Sequence, residues 1–275
     1  MDGLALTLPG GVERNGTVFR DAVLAPLNGY LERAISEELE TADNLPKGIS
    51  NVLVVALHSI GGVEVDMETV TTLSVADRQY IMMRLAQMID GDILWLRGCC
   101  SHCSAFFDIS LKRSALPVRE AGVSYPRVKL ECRGHDVELR VPNGGDQAYI
   151  AELEDKLALH SLLRACFIHI EPEVSVEHFI KKLAADDIER IESALETTSP
   201  AVCTNIVTQC PECNTQQTLY FDPYGIDVLE TEALYSQVHT LAYNYHWSES
   251  EILNLPRSRR HRYLHYIDSS RGVYS

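Results

Sequence analysis

Two short cysteine pairs, Cys100-Ser-His-Cys103 and Cys210-Pro-Glu-Cys213, carry the most specific chemistry in the sequence. A C-x-x-C turn aims two thiolates at one tetrahedral metal, and two such turns complete a closed structural zinc site. Zinc ribbons usually separate their pairs by roughly 15–20 residues. Here Cys100 and Cys210 are 110 residues apart. Either one zinc clasps two distant parts of the chain, or each pair is half of a degraded site. The reading adopted is one structural Zn2+ shared by Cys100, Cys103, Cys210 and Cys213. Cys99 is a candidate substitute ligand, the His102 ring is expected to face solvent, and Cys203 is read as a structural strand residue.

Other uses of these residue types fit less well. A thiol oxidoreductase needs its pair at the start of a helix, where the N-terminus lowers the thiol pKa. Cys213 is followed instead by Asn214-Thr215-Gln216-Gln217-Thr218 and a strand-like run. No serine, histidine and acid set forms a nucleophile motif, and no glycine-rich phosphate loop is present. The chain is therefore not expected to be an enzyme or to bind a small-molecule substrate.

The elements that must position the cysteines read as strand, cysteine turn, strand. Residues 93–96 lead into the first pair and 106–109 leave it; residues 202–207 and 219–222 do the same for the second. The 110-residue offset recurs upstream. Leu73-Ser74-Val75-Ala76-Asp77 matches Leu183-Ala184-Ala185-Asp186-Asp187, and Leu53, Ala56 and Ile60 fall on Leu163, Cys166 and Ile170. Leu27-Asn28-Gly29 resembles Pro142-Asn143-Gly144 with the offset drifted to 115. This pattern implies an internal duplication. The period is too long for a solenoid repeat, so two related lobes are expected. The fold class is α+β, each lobe being mainly helices plus a zinc-knuckle-like cysteine hairpin. The expected division is 1–115, 116–228, and a C-terminal helical module at 229–275.

In the first lobe, Leu8-Pro9-Gly10-Gly11 reads as a turn, Asn15-Gly16 as a hairpin turn, and Val23-Leu24-Ala25 as a second strand. Residues 29–40 form a helix, with Glu32, Glu37, Glu38 and Glu40 on its solvated face. Residues 49–60 are a buried helix, with a strand as the alternative, and His58 reads as a core histidine. Residues 67–73 are short helix or irregular. Ser74 caps a helix to about Asp90, with Ile81, Leu85 and Ile89 inward. Met82 and Met83 read as core filling.

Residues 112–126 read as the link between lobes. A hairpin follows around Arg133-Gly134-His135-Asp136, then a helical region from 146 to 167. Short and long helices follow at 175–182 and 186–195. The module has helices over 230–245, 249–255 and 257–267, the second opened by the capping box Ser248-Glu-Ser-Glu251. Tyr263, Leu264 and Ile267 face its core. Arg257, Arg259, Arg260 and Arg262 make its other face basic. Residues 229–275 have no counterpart in the first lobe.

The net charge of −15 opposes general affinity for nucleic acid or anionic membranes, which need a basic surface. Nothing approaches the roughly 18 apolar residues of a membrane span. The start, Met1-Asp2-Gly3, lacks the basic region of a signal peptide. A cytoplasmic setting with reduced thiols is expected, where C-x-x-C means metal or redox chemistry.

Several of these segments resemble the T4-type baseplate protein family, also called baseplate hub assembly chaperones, of contractile phage tails and phage-tail-like injection systems. The likeness rests on Leu8-Pro9-Gly10-Gly11, Leu73-Ser74-Val75-Ala76-Asp77-Arg78-Gln79-Tyr80, Gly91-Asp92 and the first cysteine pair. The ending Leu241-Ala242-Tyr243-Asn244-Tyr245-His246-Trp247-Ser248-Glu249, with Ile252-Leu253-Asn254-Leu255-Pro256 and Arg259-Arg260, is similar to a helical module of tail-assembly proteins. Residues 112–200 match least well, and the first pair lacks the usual flanking proline and glycine. The resemblance implies assembly or completion of a baseplate through contacts with baseplate or tail hub proteins, with the chain retained in the particle or leaving it. Trp247, Leu255, Arg259 and Arg260 are the candidate partner contacts, since aromatic anchors often dominate interfaces; Trp247 packing on its own domain is the competing reading. The alternative function is a zinc-ribbon nucleic-acid-binding protein using the basic C-terminal helix.

Overall fold

A glycine-rich bulge, rather than a turn, begins the first lobe. Strands β1 (Leu4–Arg14) and β2 (Thr17–Leu24) pair antiparallel about Asn15-Gly16, both left-handed. β1 stays extended through Leu8-Pro9-Gly10-Gly11, and its register slips between Thr7 and Val12. Val23 and Leu24 simply end β2. The computed structural model describes residues 3–227, 230–270 and 272.

Helix α1 (Gly29–Glu40) is capped by the Asn28 side chain, which accepts from the Leu31 N–H. Helix α2 (Leu45–Ala56) runs directly into β3 (Leu57–Ile60), which pairs with β2; β4 (Val63–Glu64) closes the sheet. The apolar 49–60 run is thus helix and then strand. Alternation along β3 turns His58 to solvent, correcting its reading as a core residue. A short helix α3 (Met67–Thr72) and the Ser74-capped α4 (Val75–Asp90) lead to β5 (Ile93–Cys99) and β6 (Phe106–Lys112), the first cysteine hairpin.

The second lobe repeats this order. Strands β8 (Arg127–Cys132) and β9 (His135–Arg140) precede α5 (Gly144–Ile150), capped by Asn143. They follow a single 3-10 turn at Arg113–Ala115 and a short strand β7 (Val118–Arg119). Helix α6 (Asp155–Cys166) runs straight into β10 (Phe167–Glu171), which pairs with β9 as β3 pairs with β2. The helix expected to reach residue 167 ends at Cys166, and the strand that follows it was not expected. Helices α7 (Val176–Ile180) and α8 (Ala185–Thr198) follow. The expected 202–207 strand is divided between β11 (Ala201–Val202) and β12 (Asn205–Gln209), the latter paired with β13 (Gln216–Tyr220) as the second cysteine hairpin. The interlobe segment is not a loose link. β7 pairs with β11, and the Ala121 N–H donates to the Pro9 carbonyl.

The module comprises α9 (Thr231–Tyr245), α10 (Glu249–Leu253) and α11 (Arg257–Ser270). Its element order runs parallel to part of the first lobe. A long helix, a short capped helix and a second long helix repeat the order of α2, α3 and α4, and Arg260 lies four residues after Pro256 as Arg78 lies four after Ser74. Both arginines are fully buried. Each abuts the glycine opening an Asn-capped helix: Arg78 meets Gly144 of α5, and Arg260 meets Gly29 of α1. A side chain at either glycine would strike the guanidinium or its neighbours. Arg260 pairs at 2.7 Å with Glu32, which is also buried. Glu32 is therefore not part of a solvated face, nor Arg260 of an exposed basic one.

Candidate metal centre

Each cysteine turn is built by the same backbone bonds. The Cys100 N–H donates to the Ala105 carbonyl and the Ser104 N–H to the Cys100 carbonyl; Cys210 does the same with Thr215 and Asn214. Ser104 and Asn214 take the left-handed conformation (φ 60° and 56°) that reverses the chain after each pair. Extended strands on either side fix the hairpins. Their inner residues, including Leu219 and Phe107, pack about Gly98, where a Cβ would collide with both.

The packed hairpins bring all four predicted ligands together. The Sγ atoms of Cys100, Cys103, Cys210 and Cys213 lie within 4.8 Å of one another. Cys100 is 3.6 Å from Cys213 and Cys103 is 3.7 Å from Cys210, so each close pair joins the two lobes. A tetrahedral zinc with bonds of about 2.3 Å to sulfur has sulfur–sulfur edges of about 3.8 Å. The cluster fits that geometry and that ligand preference. Cys100 and Cys210 are buried, while Cys103 is exposed. A cross-lobe bond reinforces the join: the Ser101 N–H and hydroxyl both donate to Gln217 Oε1. Among the described residues, these four are the one such metal-competent group.

The thiols hold unequal proton affinities. Hydrogen bonds from the Thr215 hydroxyl and N–H, with smaller help from Cys103 and Cys100, bring Cys213 down to about 6. The Ala105 N–H favours the thiolate of Cys103, but bonding to Cys213, burial and the other thiols push it up to about 12. A thiolate on Cys213 thus disfavours one on Cys103, and a divalent cation is what would let both ionise together. The N–H of His102 points at Cys100 Sγ (3.4 Å) and its side chain is exposed. Cys99 lies outside the cluster with its thiol toward the Ser104 carbonyl, and Cys203 turns to the Asn205 carbonyl.

The four expected partner contacts fare differently. Trp247 stacks on Tyr245 and meets Tyr263 edge-on, at centroid distances of 4.9 and 4.8 Å. Leu255 is half-buried, and its carbonyl accepts from Arg260. Arg260 is sealed inside, and Arg259 is exposed. Sequence reasoning missed the second buried site. The Asp77 carboxylate accepts from the Gly10 and Gly11 N–H groups, the Ser74 hydroxyl and the Tyr125 hydroxyl. Arg78 beside it donates to Ser50 and to the Val70 and Pro46 carbonyls. The available signal was the Asp-Arg pair that begins three residues after the serine cap.

A family model for the T4 bacteriophage base plate protein matches residues 37–224. The chain belongs to this family. The matched span is about two thirds of the chain and contains both cysteine pairs and the 112–200 region. The segments near residues 8–11 and 241–260 lie outside it. Comparisons with curated proteins and with solved structures gave no match. Among the described residues no helix is long and apolar enough to cross a membrane.

Proposed function

We propose that this baseplate-family protein is a non-enzymatic assembly factor or structural component of a contractile-tail or injection-system baseplate. It acts through contacts with baseplate or tail hub proteins, and one structural Zn2+ on Cys100, Cys103, Cys210 and Cys213 fastens its lobes. Family membership across the span holding both cysteine pairs carries this reading. The repeated element order supports an internal duplication behind the 1–115 and 116–228 lobes, with 229–275 as an added module. Structural zinc contributes on the order of 10 kcal/mol in small domains, enough to decide whether two lobes stay joined. The nucleic-acid alternative loses its surface: Arg260 is buried and Arg257 pairs with Asp90.

Assembly is assigned to the cytoplasm of the producing cell. Quantitative mass spectrometry of purified particles and of smaller complexes tests the role. A fixed ratio to baseplate proteins means a structural component. Presence only in smaller complexes means a chaperone that leaves. Absence from both would overturn the baseplate reading.

A further inference from the structure

The two lobes differ in what covers one groove. In the first lobe, α2 and α4 face each other through Ile49, Val52, Leu53, Ala56 and Leu85, all at most 1% exposed. The chain leaving β13 seals this region from outside. Tyr224 and Ile226 pack against the first-lobe core. The Tyr224 hydroxyl donates to Gln147 of α5 (3.3 Å), and the Asp227 N–H donates to Asp90 at the far end of α4. Residues 222–227 thus form a strap along the groove, opening with a turn at Pro223-Tyr224 in which the Gly225 N–H donates to the Asp222 carbonyl.

At the same 110-residue offset, the second lobe places Leu159, Leu162, Leu163, Cys166 and Leu195 between α6 and α8. These residues line an open groove of about 460 Å³. Leu159 is 45% exposed where its counterpart Ile49 is 1% exposed. The segment that leaves β6 reaches this site only with Arg119, which sits at the groove's edge and donates to the Glu196 and Ser199 carbonyls. The apolar floor is retained and the strap is missing. Two wall positions have also changed character. Glu192 and Glu196, both exposed, stand where the first lobe has Met82 and Ala86, both buried.

We infer that the α6–α8 groove receives one short segment of a partner protein, carrying an aromatic and an aliphatic side chain two residues apart with a basic residue beside them. The internal precedent fixes the first part: Tyr224-Gly225-Ile226 does this in the first lobe. The acidic wall fixes the second, because charge complementarity selects a basic flank. A burial of this kind places the aromatic as the main anchor. The inference rests on the reading that the protein works through protein contacts, and it adds the site and the chemistry of the partner.

The test uses the full chain and a fluorescent peptide copying residues 221–227 with Asp222→Lys and Asp227→Lys. The expected result is saturable binding, weakened about tenfold by Tyr224→Ala in the peptide and by Leu159→Asp in the protein. A Glu192→Lys, Glu196→Lys double variant changes only exposed positions. It should weaken the lysine peptide and strengthen the unmodified acidic copy, reversing their order. Absence of saturable binding, or binding indifferent to both protein variants, would overturn the proposal. The particle does not enter this assay, so its failure leaves the baseplate reading standing. Loss of the baseplate reading would equally leave the binding result intact. In producing cells, a photo-cross-linker at Leu159 should join a basic, aromatic-containing segment of another protein. A product joining only two copies of this chain would contradict the inference.

Discussion

The two lobes share an order of elements but not a way of being held together. In the first, Asp77 is fully buried and ties the β1 bulge, the α4 cap and Tyr125 into one joint. In the second, the equivalent Asp187 accepts from the Ala184 N–H and pairs with a partly exposed Arg133. Arg78 becomes Ile188. The lesson is positional. The first lobe is covered on both sides, by α5 and the 222–227 strap, and its buried Asp77 and Arg78 find backbone and hydroxyl partners, although Arg78 Nε has none. In the second lobe the same positions are only partly covered, Asp187 and Ile188 being half-buried, and they join fewer elements.

The largest expected effect concerns what the lobes share. Cys210→Ser should remove metal and destabilise the fold by more than about 3 kcal/mol, whereas Cys203→Ser should cost under about 1 kcal/mol. Thermal unfolding with metal analysis checks this, and equal shifts would break the claim of a common clasp. Next come the buried arginines. Arg260→Ala leaves Glu32 buried without its cation, at a cost of about 3–5 kcal/mol. It should release the module, seen as faster proteolytic separation of α9–α11 from the rest of the chain. Ile188→Ala, at the second lobe's equivalent of Arg78, should cost no more than about 1–2 kcal/mol.

A third comparison sets the aspartates directly against each other. Asp77→Ala orphans two buried backbone N–H groups and should cost about 3 kcal/mol, while Asp187→Ala should cost much less, because its carboxylate accepts a single backbone N–H, that of Ala184. Denaturant midpoints for the two variants decide it.

The smallest effect is in pH, and its sign differs between lobes. The Ala184 N–H and Arg133 hold the Asp187 carboxyl below its ordinary value of 3.8. Its contribution is present above that value and is lost as pH falls through the lowered pKa. Burial outweighs the hydrogen bonds at Asp77 and raises its carboxyl above 3.8. Folding then takes up a proton there, so this site gains stability as pH falls toward 3.8. The stability lost in Asp187→Ala should therefore shrink below pH 4, and that lost in Asp77→Asn should grow on mild acidification. Parallel pH–stability curves for the two variants would contradict this contrast.

Much of this was legible in the sequence. The cysteine spacing, the Ser74 and Ser248 caps, and the Asn15-Gly16 and Arg133-Gly134 turns are local signals with local causes, and the elements they mark landed where expected. What stayed hidden was set by distant partners. Glu32 reads as one more acid on a polar helix face until Arg260, 228 residues away, arrives opposite it. Leu8-Pro9-Gly10-Gly11 has turn composition, yet Asp77 captures its N–H groups and keeps it in a strand. Strand β10 is masked because α6 passes into it without a breaker residue. The cysteine cluster was readable because its geometry is encoded in each turn. The strap was not, because nothing near Tyr224 shows which lobe it crosses.

The central claim is that one metal joins the lobes, with each C-x-x-C supplying half its ligands. X-ray absorption on the freshly purified full chain, with elemental analysis, tests it most directly. The account predicts one zinc per chain in a shell of four sulfurs at about 2.3 Å. A chain that carries no zinc, or zinc bound by two sulfurs with oxygen or nitrogen completing the shell, would contradict it.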